Sequence, residues 1–251
     1  MPESLAEEVT QNAFFGGRLM LSQPANGHRS GTDAVLLAAA VPRAFAGLLF
    51  DIGAGVGAVG LGVALACGGA DVTLVENDPL SVDLAGRNIS ANGLAARARV
   101  MACDVLCKAE RQALTGGADL VVTNPPFYRA DRVRAARDPG RPAAHVLPPG
   151  TGLDDWLAAC LACLAPGGTL IVVHHAAALP ETLQALRPRL GDLTLLPIHP
   201  RAGETASRVL LRGRRDSRAP FRLASPFILH EGAGFTPLAA ALHAGDAALD
   251  W

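Results

Sequence analysis

The stretch LFDIGAGVG at residues 49–57 decides the fold. A short apolar run ends in Asp51, glycines stand at 53, 55 and 57, and a helical pattern begins at Ala58. Alternating glycines allow a sharp turn and a close approach of the backbone to a ligand, and the helix that follows presents unpaired N–H groups. The pattern predicts a nucleotide-binding turn between a strand and a helix. A tight connection that binds nothing is the alternative.

Beyond this turn, short apolar runs alternate with helical patterns. That order is typical of a parallel sheet with helices on both faces, so we expect a doubly wound, Rossmann-like α/β fold with seven strands in a mostly parallel sheet. The predicted strands are 48–51, 72–76, 98–102, 120–123, 169–174, 193–198 and 207–212. The predicted helices are 58–67, 79–92, 108–114, 153–164 and 180–190.

Two segments lie outside this pattern, and neither has enough apolar length for a core of its own. We expect residues 1–46 to form a hairpin and a helix, which Thr32 or Asp33 could cap, beside a core at 47–222. Residues 223–251 are expected to add a short strand near Phe227 and a helix near Thr236. We therefore predict one domain with two additions.

The composition excludes several classes of protein. Of the 251 residues 50% are hydrophobic, and the formal charge is −1, which excludes long disorder and a polybasic coat for nucleic acid. The acidic N-terminus is unlike a secretory signal and no apolar run is long enough for a membrane span, so we expect a cytoplasmic protein without membrane contact. The five cysteines favour free thiols. Cys160 and Cys163 have CxxC spacing, but their apolar helical surroundings favour core packing, and we expect no metal.

Glu76 supports a nucleotide site because it ends the second predicted strand, 25 residues after Asp51. A carboxylate at that position can accept hydrogen bonds from both hydroxyls of a ribose. The glycines do not follow the G-x-G-x-x-G register of a dinucleotide site, since the turn reads Asp-x-Gly-x-Gly-x-Gly. The spacing therefore favours another class of nucleotide cofactor.

The segment Asn124-Pro125-Pro126-Phe127 follows the fourth predicted strand. Two prolines fix φ twice and remove two backbone donors, which leaves the Asn124 side-chain carbonyl and the neighbouring backbone carbonyls as rigid acceptors. Such acceptors suit the N–H groups of a planar amine, for example an exocyclic adenine nitrogen or an amide nitrogen. The alternative is a plain turn at the end of a strand.

The Asp-x-Gly-x-Gly-x-Gly turn resembles that of the Rossmann-like methyltransferases that use S-adenosylmethionine. The resemblance implies S-adenosylmethionine as the cofactor and S-adenosylhomocysteine as the product. It places Asp51 near the amino-acid end of the cofactor, Asp104 with Val105 at the adenine, and Glu76 with Asn77 at the ribose, above Gly53, Gly55 and Gly57. A loop cap is the alternative role for Asp104.

The Asn-Pro-Pro-aromatic motif is shared by methyltransferases that act on adenine in DNA or RNA, on guanine in ribosomal RNA, and on a glutamine amide in release factors. Within them, residues 14–38, with FFGGRL, QP, GHR and GTDAVLLA, resemble the adenine-N6 methyltransferases that modify a valine tRNA beside its anticodon. This resemblance implies an RNA partner, a tRNA, and an acceptor site at Asn124 to Phe127. It also implies that residues 1–46 cap the cofactor site, with Thr32 and Asp33 facing the methyl donor or capping the helix only.

Two features depart from that family. Phe127 precedes Tyr128 where the usual order is Tyr-Phe, so either ring could stack on the substrate. Residues 227–251 resemble an alphaproteobacterial branch. A methyltransferase for a protein amide, a ribosomal guanine or a small amine is the alternative, although a protein-amide enzyme would typically carry an N-terminal helical domain longer than 46 residues. A cofactor-binding module without catalysis is disfavoured by the intact motif.

Arginines are concentrated in two segments. Residues 129–141 carry five Arg and two Asp, residues 201–222 carry seven Arg and two acids, and the remainder carries 10 basic and 19 acidic residues. We expect a phosphate-binding face for RNA, and a solvated loop with GC-rich codon bias is the alternative. The residues predicted to contact the RNA are Tyr128, Arg129, Arg132, Arg134, Arg208 and Arg212. His174 and His175 end the fifth strand and are expected to be structural, and both a monomer and a homodimer remain open.

Overall fold

The computed structural model describes residues 9–25, 30–126, 128–129, 146–147 and 150–251. Its strands are β1 (Val9–Phe14), β2 (Leu19–Pro24), β3 (Ala46–Ile52), β4 (Gly69–Glu76), β5 (Ala98–Ala102), β6 (Ala118–Thr123), β7 (Tyr128–Arg129), β8 (Val146–Leu147), β9 (Leu164–His175), β10 (Leu190–Arg201), β11 (Arg208–Arg215), β12 (Arg222–Leu223), β13 (Phe227–Glu231) and β14 (Gly234–Phe235). Its helices are α1 (Thr32–Ala39), α2 (Ala58–Ala66), α3 (Pro79–Ala91), α4 (Lys108–Arg111), α5 (Leu153–Cys163), α6 (Leu179–Leu186) and α7 (Pro237–Ala244).

A ten-stranded sheet in the order β14-β13-β10-β11-β9-β6-β3-β4-β5, with β12 beside β10, forms the centre of the fold. Strand β11 runs antiparallel to β9 and β10, β14 runs antiparallel to β13, and the other pairs are parallel. The chain places β4 and β5 on one side of β3 and then returns to place β6 on the other. Such a reversal opens a crevice at the carboxyl ends of the strands, where ligands bind in open α/β sheets.

Each face of the sheet has its own hydrophobic cluster. On β6, Leu120 and Val122 pack in the cluster that includes residues of α1, α2, α3 and α7, whereas Val121 packs in the cluster that includes residues of α5 and α6. Strands buried on both faces need nearly continuous apolar sequences, which explains why the hydrophobic runs in this chain do not alternate with polar residues.

The two ends of the chain pack against one face together. Leu19 of β2 and Leu242 of α7 belong to the same buried cluster as the sheet, and Arg18 forms an ion pair with Asp246. The described parts of residues 1–46 and 223–251 therefore share one core with the sheet. No helix in the described part of the chain is long and apolar enough to cross a membrane.

The predicted α/β fold with a mostly parallel sheet is confirmed, and three details differ. Strands β12 and β13 pair with β10, and β14 pairs with β13, so the sheet has ten strands rather than seven. The predicted side-chain cap of α1 was wrong, since Gly31 is the N-cap residue and the Asp33 carboxylate binds Arg208 instead. The helix predicted to reach Leu190 ends at Leu186, and β10 begins at Leu190.

Candidate active site

The glycine turn after β3 is held in shape by its own backbone and by β4. Gly53, Gly55 and Gly57 have φ angles of 72°, 54° and 91°, values that favour glycine over residues with a side chain. The N–H groups of Gly53 and Ala54 both donate to the carbonyl of Val75, at 2.9 and 3.1 Å. The shape of the turn is thus stabilised by hydrogen bonds within the chain itself.

Asp51 lies beneath the turn and is 2% exposed. Its Oδ2 accepts the N–H of Gly60 at 2.8 Å. Burial raises the pKa of Asp51 to about 7; the hydrogen bond from Gly60 opposes this rise and the charge of Glu76 adds to it. A Cβ atom on Gly60 would lie 2.3 Å from Leu74 Cδ2, so a larger residue at this position would require the Leu74 side chain to shift.

Glu76 joins the end of β4 to the turn through both carboxylate oxygens. Its Oε2 accepts the N–H of Gly55 at 2.8 Å, while Oε1 accepts those of Asn77 and Asp78 at 2.8 and 2.9 Å. A carboxylate oxygen has more than one lone pair, so these bonds leave acceptor capacity for ligand hydroxyls. A Cβ atom on Gly55 would meet no atom of the described residues within 4 Å, so among these residues there is open space beside Glu76. The residues present therefore fit a cofactor that carries a ribose.

Asn124 stands one strand away from the turn. Thr123 pairs with Ile52 across β6 and β3, so Asn124 and Gly53 leave neighbouring strands at the same level, about 4.8 Å apart across the sheet. The Oδ1 atom of Asn124 is buried, and no group among the described residues donates a hydrogen bond to it. Buried acceptors in folded proteins nearly always have a donor, so this oxygen is a candidate acceptor for a ligand.

The adenine-side residues take mixed positions. Asp104 Oδ1 accepts the N–H of Leu106 at 2.9 Å, which is the loop-cap contact of the alternative role, and the side chain of Val105 is 3% exposed in the core. The backbone N–H of Asn77 binds Glu76, and its exposed side chain has no hydrogen bond within the described residues. Their roles toward a cofactor remain predictions.

Asp33 and Arg208 form a half-buried ion pair with an Nε to Oδ2 distance of 2.9 Å. Thr32 is the first residue of α1 and is partly buried. The Arg212 guanidinium lies 4.7 Å from the centre of the Trp251 ring and also donates to the Trp251 carbonyl. Both arginines thus have partners within the chain, and their contact with RNA remains a prediction.

The segment after Pro126 supplies most of the remaining predicted contacts. Tyr128 and Arg129 form β7, which pairs with β8 in a separate two-stranded sheet. Phe127, Arg132 and Arg134 lie outside the described residues. Pro125 is buried and Pro126 partly buried, which agrees with a rigid exit from β6.

His174 is 3% exposed. Burial lowers the pKa of His174 to about 4, with further lowering by His175 and Arg208, although Asp33 raises it. The ring is therefore neutral near pH 7 and a weak base, as expected for a structural histidine. Cys160 and Cys163 are both 0% exposed, which confirms their prediction as core residues. Within the described residues, no group of three or more metal-binding side chains is suited to a metal ion.

Sequence reasoning missed two asparagines on α3. Asn88 binds the backbone of Ser22 with both amide atoms, at 2.8 and 3.1 Å, and its Nδ2 also donates to the Val56 carbonyl in the glycine turn at 3.0 Å. Asn92 binds the N–H and carbonyl of Met20, each at 2.8 Å. Their spacing of four residues places both on one helix face, which was the available signal.

A doubly wound sheet with this turn after β3, a carboxylate at the end of β4 and an Asn-Pro-Pro segment after β6 defines a methyltransferase that uses S-adenosylmethionine. The match to a family model agrees. The chain belongs to the methyltransferase small domain family, whose model matches residues 29–196.

Individual relatives cover most of the chain. A tRNA1(Val) (adenine(37)-N6)-methyltransferase of Aeromonas hydrophila subsp. hydrophila is 33% identical over 186 residues, which cover 72% of this chain and 75% of the relative. A release factor glutamine methyltransferase of Chlorobaculum tepidum is 27% identical over 196 residues, and the match covers 73% of this chain but just 66% of that enzyme. The solved structure of a predicted O-methyltransferase from Agrobacterium tumefaciens has a TM-score of 0.72 and 32% identity, over 86% of this chain and 98% of that one.

Proposed function

We propose that this protein transfers the methyl group of S-adenosylmethionine to the exocyclic N6 amine of an adenine in tRNA. The observation that carries the proposal is the buried Asn124 Oδ1, which has no donor among the described residues and stands one strand from the glycine turn. The similarity to a tRNA1(Val) adenine-N6 methyltransferase supports the acceptor.

The chemistry of a planar amine explains why acceptors are needed. The nitrogen lone pair of adenine N6 is delocalised into the ring, which makes the amine a weak nucleophile. Asn124 Oδ1 and a backbone carbonyl beside Pro125 would accept its two N–H groups and orient the nitrogen toward the methyl donor. The nitrogen would form the new N–C bond while the bond between the methyl carbon and the sulfur breaks, and the electron pair of that bond would stay on sulfur to give S-adenosylhomocysteine. The extra proton on the nitrogen would pass to solvent. This route requires neither a strong base nor a metal ion.

The glycine turn after β3 is the proposed binding site of the methyl donor. When bound, the cofactor supplies an electrophilic methyl group on a positively charged sulfur. Glu76 would accept the ribose hydroxyls in the open space above Gly55, and Asp51 would lie toward the cationic amino-acid end. Asp104 and Val105 would line the adenine side, and Asn77 would lie beside Glu76 at the ribose. Thr32 with Asp33 would close the site from α1.

The acceptor adenine must be unpaired or extruded from its stack, because a paired N6 is not accessible to Asn124. Phe127 or Tyr128 would stack on it, and Arg129, Arg132 and Arg134 would bind phosphates beside it. A tRNA substrate places the reaction in the cytoplasm. Because Arg208 and Arg212 bind Asp33 and Trp251, we propose that RNA affinity depends more on residues 129–141 than on residues 201–222.

A second candidate acceptor is a glutamine amide in a release factor. The similarity to the Chlorobaculum tepidum enzyme favours it, and an amide is also a planar amine with two N–H groups. A hydroxyl acceptor fits less well, since it has one hydrogen to donate where the site provides more than one acceptor.

Transfer of radiolabelled methyl from S-adenosylmethionine tests the proposal. The purified protein is given total tRNA or recombinant release factor in parallel, with Asn124→Ala as the background control. We expect label in tRNA that digests to N6-methyladenosine. Label in the release factor alone would support the second candidate and overturn the first.

A further inference from the structure

Trp156 connects the two halves of the candidate site. It lies in the first turn of α5, where Asp155 Oδ2 accepts the N–H of Gly152 at 2.8 Å and fixes the start of the helix. Its ring lies against the glycine turn, because a Cβ atom on Gly53 would be 2.9 Å from Trp156 Cζ2. The indole therefore occupies the space that a side chain at position 53 would take.

The indole nitrogen reaches the other half of the site. Trp156 Nε1 donates to Thr123 Oγ1 at 3.0 Å, and Thr123 is 0% exposed. The Thr123 hydroxyl in turn donates to the carbonyl of Ile52 at 2.9 Å. A hydroxyl has one hydrogen and two lone pairs, so it can accept from Trp156 and donate to Ile52 at the same time.

The Thr123 hydroxyl links the carboxyl ends of β3 and β6, from which the two halves of the candidate site extend. Ile52 immediately precedes Gly53, and Thr123 immediately precedes Asn124. The bond from Thr123 to Ile52 fixes their separation, and the bond from Trp156 fixes the orientation of the Thr123 side chain. The two hydrogen bonds of Thr123 therefore hold both the glycine turn, assigned to the methyl donor, and Asn124, assigned to the acceptor.

We propose that Thr123 and Trp156 are positioning residues that set the distance between the methyl donor and the acceptor amine. This inference rests on the proposed function, since it assigns the donor to the glycine turn and the acceptor to Asn124. Neither side chain bonds to the acceptor. Methyl transfer depends on the distance between the reacting atoms, and a displacement of about 1 Å can lower a rate roughly 100-fold.

Steady-state kinetics of two variants test the inference. Trp156→Phe keeps an aromatic ring against Gly53 but removes the indole N–H, and Thr123→Val keeps the shape but removes the hydroxyl. We expect kcat to fall about tenfold to 100-fold in each, with KM for S-adenosylmethionine within about threefold of the wild type. Thr123→Ser, which retains the hydroxyl, should restore most of the rate. Trp251→Phe, at the other tryptophan of the chain, is the matched control and should leave kcat unchanged.

The outcomes separate this inference from the proposed function. If the wild-type chain leaves tRNA unlabelled, the proposed acceptor is wrong, and the same variants are then assayed on release factor. If Trp156→Phe and Thr123→Val both keep the wild-type kcat beside an active wild type, the positioning role is wrong. Equal losses in Thr123→Ser and Thr123→Val would also overturn it, because the hydroxyl would then not matter.

A fluorescence measurement tests the same contact without any acceptor. In a Trp251→Phe background, Trp156 is the sole tryptophan. We expect its emission maximum to shift in Thr123→Val, to stay in Thr123→Ser, and to change when S-adenosylhomocysteine is added. Emission that is identical in all variants and insensitive to the ligand would contradict the proposed link between the two halves.

Discussion

The donor and acceptor halves of the candidate site differ in how many of their polar groups are hydrogen-bonded within the described part of the chain. In the donor half, Asp51 and Glu76 accept backbone N–H groups of α2 and of the turn. In the acceptor half, Asn124 Oδ1 is buried and the described residues provide it with no donor. The first half is stabilised by the chain itself, whereas we propose that a ligand completes the hydrogen bonds of the second. Substitutions in the first should therefore disturb binding and shape, and those in the second should disturb chemistry.

The largest expected effect is on the acceptor half. Asn124→Ala removes the acceptor that orients the amine, and we expect kcat to fall about 100-fold to 1,000-fold, by analogy with the loss of one preorganised hydrogen bond in other transfer reactions. S-adenosylmethionine affinity, measured by calorimetry, should stay within about threefold. Normal turnover by this variant would remove the basis of the catalytic assignment.

Glu76→Ala should give the complementary result in the donor half. It removes the proposed ribose acceptor and the contacts to Gly55, Asn77 and Asp78. We expect the Kd for S-adenosylmethionine to rise about tenfold to 100-fold, which corresponds to roughly 1.4–2.8 kcal/mol. At saturating cofactor, kcat should fall much less than in Asn124→Ala. Unchanged calorimetric affinity would argue against the ribose role.

The buried carboxylate of Asp51 should make cofactor affinity depend on pH. Its pKa is raised to about 7, so the carboxyl is protonated below that pH and has no charge to offer the cationic end of the cofactor. We expect affinity to rise as the pH increases from 6 to 8, by up to about tenfold per unit below the pKa. Asp51→Asn should flatten this profile, and an equally steep profile in that variant would assign the titration to another group.

Without ligand, Asp51 should have the opposite effect on stability: its contribution to the free energy of unfolding should decrease as the pH rises. A folded-state pKa above the unfolded value of 3.8 means that folding favours the protonated form. The contribution of Asp51 to the free energy of unfolding is therefore fully present below about pH 4 and is lost as the pH rises through about 7. Denaturant titrations of the wild type and Asp51→Asn at several pH values measure the difference.

The smallest expected effect separates two similar asparagines on α3. Asn88 and Asn92 both bind β2, but Asn88 alone also donates to Val56 in the glycine turn. Either alanine variant should lower stability by about 1–3 kcal/mol. Asn88→Ala should in addition weaken S-adenosylmethionine binding about threefold, because it also removes the contact to Val56 in the glycine turn. A threefold change is smaller than the tenfold change that about 1.4 kcal/mol would cause. Equal affinities in the two variants would show that the contact to Val56 does not shape the turn.

The sequence predicted the elements that are determined locally. The glycine turn follows from the alternation at Gly53, Gly55 and Gly57, and its helix begins at Ala58 as predicted. The strand at Phe227 and the helix near Thr236 were also found where the pattern placed them. These features depend on neighbouring residues, so a single sequence contains the information for them.

The features that were missed depend on contacts between residues far apart in the chain. Asp33 is a good helix cap by type, but Arg208, 175 positions away, binds its carboxylate. Arginines of residues 201–222 were interpreted as a phosphate-binding face, yet Arg212, Arg214 and Arg215 donate to backbone carbonyls of the same chain. A count of charges cannot distinguish a solvent-facing arginine from one that binds its own protein. The hydrogen bond between Trp156 and Thr123 was likewise not predicted, because the two residues are 33 positions apart.

The amides of Asn88 and Asn92 have a consequence for solubility. Residues four apart on a helix are separated by about 6 Å along its axis, and residues two apart on a strand by about 6.8 Å, so two helical asparagines can pair with alternate residues of an extended chain. They bind Met20 and Ser22 of β2, on the edge that β1 leaves uncovered. Exposed strand edges promote pairing between molecules. The two amides therefore occupy backbone groups of β2 that would otherwise be open to pairing with another strand.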